Sequence, residues 1–228
     1  MDRPQPLPRT RAVDRERFLI RSVAGRRTIH VGFCDFETRE RFGLWLHGEL
    51  SKSARQLIGI DVDAAGVERA LAEGFEAYAA DCTDPEDVRR LNLEPAEVVV
   101  AGEVIEHVDD PGGLLDATHL LGDRLIVTTP NAASLLNVVG ALRHMELIHP
   151  DHVSWFSAYT LTNLMRRHGW HVESMLAYHM PRSDCGPHTL EVRAGRALTS
   201  LQRLLARRWP FIDAGLIAVA SSTTAPRV

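Results

Sequence analysis

The 228-residue sequence predicts a three-layer, doubly wound α/β fold: a mostly parallel sheet with helices on both faces. Three observations point there. Short runs rich in Val, Ile and Leu alternate with stretches of helical periodicity along most of the chain, the pattern of repeated βα units. The runs are apolar at successive positions, so each strand is expected to be buried on both faces, as in parallel sheets. Several runs also stop at a glycine or an acid, where the strands of such a sheet turn toward a ligand crevice.

Taken in order, residues 1–12 hold three prolines and no periodicity, and are expected to be a disordered tail before one domain spanning 13–222. Val13 to Val23 reads as a short amphipathic helix carrying Phe18, Leu19 and Val23. Thr28 to Gly32 is a β-branched strand meeting a turn. Glu37 to Ala54 reads as helix, with Phe42, Trp45, Leu46 and Leu50 near helical spacing. Gln56 to Asp61 is a second strand, Ala64 to Glu73 a helix stopped by Gly74, and Phe75 to Ala80 a third strand followed by Asp81. Glu97 to Ala101 is a strand, Pro111 to Leu121 a helix, and Arg124 to Thr128 a strand closed by Pro130. Ser157 to His168 is a helix stopped by Gly169. Trp170 to Tyr178 is a strand, Arg196 to Arg208 a helix and Gly215 to Ala220 the last strand. No internal repeat is present.

Composition narrows the function classes. Apolar residues make up 45% and charged residues 25%, ordinary globular usage. The formal charge of -4 gives no basic excess, so nucleic acid is not the expected partner. Cys34, Cys82 and Cys185 form no CxxC pair, which argues against a zinc ribbon or thioredoxin-like site and suits free thiols. The polar, Pro-rich start lacks the apolar stretch of a signal peptide. No run approaches the ~18 apolar residues of a membrane span. A cytoplasmic protein is the expectation.

In a doubly wound sheet, ligands bind outside the carboxyl ends of the strands. Those positions hold Gly32, Asp61, Asp81, Gly102, Glu103 and Thr129. A glycine after the first strand lets backbone N–H groups approach a ligand. Asp61 is placed to accept hydrogen bonds from ribose hydroxyls, and Asp81 with Cys82 to face an adenine edge. Each Asp could equally cap the following helix. No GxGxxG follows the first strand, which argues against a nicotinamide or flavin enzyme.

The ordered series Thr28-Ile-His-Val-Gly-Phe-Cys-Asp-Phe36, Ile58-Gly-Ile-Asp61, Ala80-Asp81 and Val98-Val-Val-Ala-Gly-Glu-Val-Ile-Glu-His107 resembles the motifs of class I S-adenosylmethionine-dependent methyltransferases. The likeness covers about residues 25–180, and Ile148-His-Pro-Asp-His-Val-Ser-Trp-Phe-Ser157 is also similar to segments of that family. The resemblance implies a Rossmann-like, seven-stranded sheet with one antiparallel strand near the C-terminus, and S-adenosylmethionine as cofactor. It implies that Gly32 and its loop hold the methionine part, Asp61 and Val62 the ribose, Asp81 and Cys82 the adenine, and that Gly102 and Glu103 line the cofactor. The first motif departs from the family. The usual D-x-G-x-G-x-G is replaced by His30-Val-Gly32-Phe-Cys34-Asp-Phe36, with one glycine, an imidazole for the acid and two bulky rings. Asp35 is a candidate for the missing polar contact.

Beyond the fourth strand, Glu103, Glu106 and His107 would share a face at helical spacing. Together with His152 they form a candidate site for Mg²⁺ or Mn²⁺, similar to that of small-RNA 2′-O-methyltransferases and ubiquinone-pathway O-methyltransferases. Without a metal, His107, His152 or His149 is the candidate base, since imidazole titrates near neutrality. Such segments also occur in the family with no metal, where Glu lines the cofactor pocket and His packs. Acceptor specificity is expected from the N-terminal helix, from residues 131–157 with Trp155 and Phe156, and from the loop 180–188. Arg203, Arg207 and Arg208 are candidates for an acidic partner or for a plain solvated face. The expected function is methyl transfer to O or N of a small molecule such as a natural product, sugar or glycan precursor. The alternatives are a fold-retaining binding or scaffold protein, and a metal-assisted RNA 2′-O-methyltransferase.

Overall fold

The computed structural model describes residues 4–35, 39–40, 45–179 and 190–223. The strands are β1 (Ala12–Asp14), β2 (Arg27–Val31), β3 (Gln56–Asp61), β4 (Glu76–Ala79), β5 (Val98–Gly102), β6 (Arg124–Pro130), β7 (Trp170–His179) and β8 (Gly215–Ser222). The helices are α1 (Arg15–Val23), α2 (Leu46–Ser51), α3 (Ala64–Ala72), α4 (Pro85–Arg90), α5 (Pro111–Thr118), α6 (Leu135–Ala141), α7 (Ala158–Arg167) and α8 (Leu190–Ala206), with a 3₁₀ turn at Pro210–Ile212.

The strands form one sheet in the order β1-β7-β8-β6-β5-β2-β3-β4. All neighbours pair parallel except β8, which runs against both β6 and β7. The expected reversed strand is therefore present. Among the described residues the sheet has eight strands where seven were expected, because residues 12–14 pair with Ala177–His179 at the β7 edge. Thr10 Oγ1 donates to Met175 O at 2.5 Å, so the chain is tied down before the expected boundary at residue 13. Three residues of extended chain carry too little pattern to be read as a strand; the free edge of β7 recruits them.

The central strands are buried on both faces, as their unbroken apolar runs require: Val98 to Val100 are 0% exposed. One face packs Leu114, Leu115, Leu161, Met165 and Trp170; the other packs Leu19, Val23 and Leu50. Most helices start at a side-chain cap: Asp14, Asp63, Asp84, Asp110, Ser134 and Ser157 each accept a backbone N–H of the first turn. Asp63 and Asp84 are thus the caps of α3 and α4, which removes capping as the explanation for Asp61 and Asp81. Helices α4 and α6 were not expected from the sequence. Each spans fewer than two turns, too few residues for periodicity to register. Of the expected helix over 37–54, residues 39–40 and 46–51 are helical; 36–38 and 41–44 lie outside the described residues. The loop 180–188 and Cys185 lie outside them too.

Candidate active site

Chain order reverses between β2 and β5: the chain runs outward through β3 and β4, then returns to build β5 and β6 on the other side. A crevice opens at such a switch point, above the carboxyl ends of the two strands. Gly32 lies just past the end of β2, and Gly102 and Glu103 at the end of β5.

Gly32 sits at φ +68°, and a Cβ there would lie 2.6 Å from a Val104 methyl, so only glycine lets the loop cross the start of the β5 turn. Phe33 then turns inward. It is 1% exposed, packs against Trp45, Val67, Ala70 and Ala77, and its carbonyl accepts from Trp45 Nε1 at 2.9 Å. Phe33, one of the two bulky rings of the first motif, is therefore a core residue. Cys34 N–H donates to Asp61 Oδ2 at 2.8 Å, and Asp63 N–H donates to Asp61 Oδ1 at 3.0 Å. Asp61 thus ties the tip of β3 to the loop after β2. A carboxylate accepts about four hydrogen bonds, so each oxygen keeps capacity for a ligand hydroxyl. Val62 beside it is 73% exposed, an apolar surface at the sheet edge that no described residue covers.

Asp81 is exposed and accepts from Thr83 N–H and Oγ1 at 2.8 and 2.7 Å. Its own N–H donates to Asp87 Oδ2 at 2.8 Å. Cys82 is buried; burial, then the charges of Asp61, Asp81 and Asp87, push its thiol up to about 12. Burial and Asp61 push Cys34 up too. Neither thiol is a nucleophile at neutral pH. Cys34 N–H on Asp61 Oδ2 and Ala80 N–H on Asp61 O, at 2.8 and 2.9 Å, bring the tips of β2, β3 and β4 together. Asp35 is exposed beside this cluster.

Where the first motif departs from the family, His30 faces inward and stacks on His47, with ring centroids 5.4 Å apart and Nδ1 to Nδ1 3.2 Å. Burial pushes His47 down to about 4; burial, then His47 and Arg15, push His30 well below its ordinary value. The pair is neutral, one ring donating and the other accepting.

The far side of the switch point is organised by Glu103, which takes a left-handed backbone at φ +58°. That conformation costs a non-glycine residue on the order of 1–2 kcal/mol. The side chain is held by Tyr178 Oη at 2.7 Å, Thr128 Oγ1 at 3.1 Å and Arg15 Nη1 at 3.4 Å, and its N–H donates to Thr128 O. Sequence reasoning missed Arg15 and Tyr178, which read as ordinary helix and strand residues. The one available signal was Gly215: a Cβ there would lie 1.9 Å from the Tyr178 ring, so the glycine makes room for that ring. Glu106 is 1% exposed, and neither carboxylate oxygen has a hydrogen-bond partner among the described residues. Burial, then the charge of Glu103, push it up to about 8.

The four residues expected to hold Mg²⁺ or Mn²⁺ do not gather as one donor set. Glu103 is engaged by Arg15, Tyr178 and Thr128, and Glu106 is buried beneath the turn. His107 and His152 do meet, with rings 4.5 Å apart, and His149 joins them at 5.8 and 5.7 Å. Val153 and Ser154 N–H both donate to Glu106 O, at 2.9 and 3.1 Å, and this docks the segment carrying His149 and His152 onto the turn carrying His107. Phe156 is a core residue; Trp155 is half-buried. Arg207 and Arg208 are exposed after the end of α8.

These features fit S-adenosylmethionine. Acids stand at successive strand tips for hydroxyl and amine groups, an apolar Val62 edges the crevice, and the single-glycine loop has no pyrophosphate to cradle. The fold is that of a class I methyltransferase. The methyltransferase-domain family matches residues 38–175, more than half of the chain, and this protein belongs to that family. It is an S-adenosylmethionine-dependent methyltransferase. No curated protein matches the chain. Among solved structures, an S-adenosylmethionine-dependent methyltransferase from Archaeoglobus fulgidus is 16% identical with a TM-score of 0.54, covering 91% of this chain and 92% of that one. A magnesium protoporphyrin IX methyltransferase from Synechocystis is 12% identical with a TM-score of 0.54, covering 91% and 80%. A small RNA methyltransferase is 15% identical with a TM-score of 0.59, covering 97% of this chain but 27% of that one. At such identities the likeness is one of fold.

Proposed function

We propose that this protein methylates an oxygen or nitrogen atom of a small organic molecule. The observation that carries the reading is the meeting of two half-sites on one sheet edge. Gly32, Asp61 and Asp81 stand on the cofactor side, and Glu103 with three imidazoles stands across the switch point from them. Asp61 with Val62 would hold the ribose, Asp81 with Cys82 would face the adenine, and the Gly32 loop, Asp35 and Glu103 would face the methionine part. The sulfonium of S-adenosylmethionine arrives already activated, so the protein's task is in-line positioning and exclusion of water. The acceptor's proton leaves on the side where the imidazoles gather.

Two features favour a small acceptor over RNA. The net charge is -4, and nucleic-acid binding depends on a basic surface. The stretch leading into the histidine segment also exposes apolar side chains, Leu142 at 78%, Met145 at 47% and Leu147 at 50%, which suit an acceptor with an apolar body. No described helix is long and apolar enough to cross a membrane. The test is calorimetry with S-adenosylmethionine and its demethylated product, followed by transfer of labelled methyl to fractionated small-molecule extracts and, in parallel, to short RNAs. Saturable binding with label in the small-molecule fractions is expected. Label in RNA alone would overturn the acceptor class, and binding with no transfer to either would favour a fold-retaining binding protein.

A further inference from the structure

We propose that His107, His149 and His152 form a three-histidine site for a divalent transition-metal ion of the Zn²⁺ type, with one coordination position left open. One ligand atom from each side chain lies within 4.8 Å of the others. A tetrahedral site with Zn–N bonds of about 2.0–2.1 Å needs ligand nitrogens about 3.4 Å apart. The gap is at most about 1.4 Å, and His107 and His149 are both exposed. Three protein ligands and an open position describe a catalytic rather than a structural zinc site.

Three further features single out this cluster. His152 Nδ1 is buried and has no hydrogen-bond partner among the described residues, as a ring nitrogen reserved for a ligand would be. The segment is preorganised: two backbone N–H groups dock it on Glu106 O, and His152 N–H donates to His149 O at 3.1 Å. Asp151 faces His149 Nδ1 with its N–H at 3.3 Å and its Oδ2 at 3.7 Å; a proton on Nδ1 donated to Oδ2 would leave Nε2 for a metal. The donor set also decides the metal. Imidazole nitrogens favour Zn²⁺, Co²⁺ or Ni²⁺, whereas Mg²⁺ requires oxygen ligands, and here the two glutamates stand apart from the cluster.

The consequence for turnover rests on the methyl-transfer reading above; the binding itself does not. With an acceptor hydroxyl in the open position, the metal lowers its pKa. The hydroxyl proton passes to solvent, the oxygen forms the new C–O bond, and the C–S bond breaks with its electrons remaining on sulfur.

The experiment is calorimetric titration of the full, tag-free, metal-stripped chain with Zn²⁺ and separately with Mg²⁺, together with visible spectroscopy of the Co²⁺-loaded protein. One Zn²⁺ per chain, no saturable heat from Mg²⁺ and the intense visible bands of four-coordinate Co²⁺ are expected. His149→Ala and His107→Ala should each weaken Zn²⁺ at least tenfold, while His144→Ala, outside the cluster, leaves it unchanged. Folding of each variant is checked by S-adenosylmethionine binding, which the first two substitutions should preserve. Absence of saturable Zn²⁺ binding, or equal affinity in all three variants, would overturn the site even if cofactor binds. If Zn²⁺ binds and the cofactor does not, the methyl-transfer reading fails and the metal site stands.

Discussion

At the scale of single residues, Asp61 and the buried histidine pair carry the clearest consequences. Asp61 closes the loop after β2 through Cys34 N–H and still has acceptor capacity for a ribose. Asp61→Ala removes a charged acceptor from both, so cofactor affinity should fall by roughly 1.5–3 kcal/mol, ten- to a hundredfold. Calorimetry with S-adenosylmethionine checks this, and unchanged affinity would refute the ribose role. The His30–His47 pair makes the fold acid-sensitive. Its folded pKa values lie below the ordinary 6.5, so the unfolded chain binds more protons as pH falls through this window. Stability is complete above 6.5 and is lost as pH drops toward about 4, where His47 alone accounts for on the order of 3 kcal/mol. Denaturant melts across that range should show the slope, and His47→Phe should flatten it.

At the scale of elements, the site depends on helix starts and strand ends placed by local chemistry. Helix α7 follows the histidine segment directly and begins with a capping box: Ser157 Oγ accepts from Thr160 N–H, and Thr160 Oγ1 accepts from Ser157 N–H. Ser157→Ala should cost about 1 kcal/mol and lower the melting temperature by ~2–4 °C, measured by calorimetric scanning. A larger loss would mean that the cap also holds the histidine segment. Glu103 illustrates the opposite device. Its strained backbone ends β5 and is held by side chains from α1, β6 and β7, so several elements converge on one carboxylate.

For the whole molecule, a ligand that bridges the tips of β2, β3, β4 and β5 should stabilise the sheet as a unit. At a hundredfold excess over Kd, S-adenosylmethionine should add about 2.7 kcal/mol. In Asp61→Ala at the same concentration, a ten- to hundredfold weaker Kd should leave only about 0.4–1.4 kcal/mol of that stabilisation, with a correspondingly smaller rise in melting temperature. Thermal denaturation with and without cofactor makes the comparison.

Much of this was legible along the chain. β3 was read with its observed ends, and Asp61 and Asp81 stood out because a strand tip exposes its last residue to the crevice whatever the rest of the fold does. Helices α4 and α6 and strand β1 were not legible, being too short for a period. His107 and His152 were expected to meet, together with Glu103 and Glu106, but the gathering of three imidazoles was not readable. It depends on Val153 and Ser154 donating to Glu106 O, a backbone contact across 47 and 48 positions that leaves no mark on residue type.

The order of residues by itself determined the layer architecture, the strand-tip acids and the single glycine of the first loop, because hydrophobic period and backbone conformation are local properties. Only the tertiary structure decided that Phe33 turns into the core, that Arg15 and Tyr178 clamp Glu103, and that three imidazoles rather than two glutamates gather beside the crevice. Those outcomes come from packing between elements distant in sequence, where the space left by one backbone sets the direction another side chain takes.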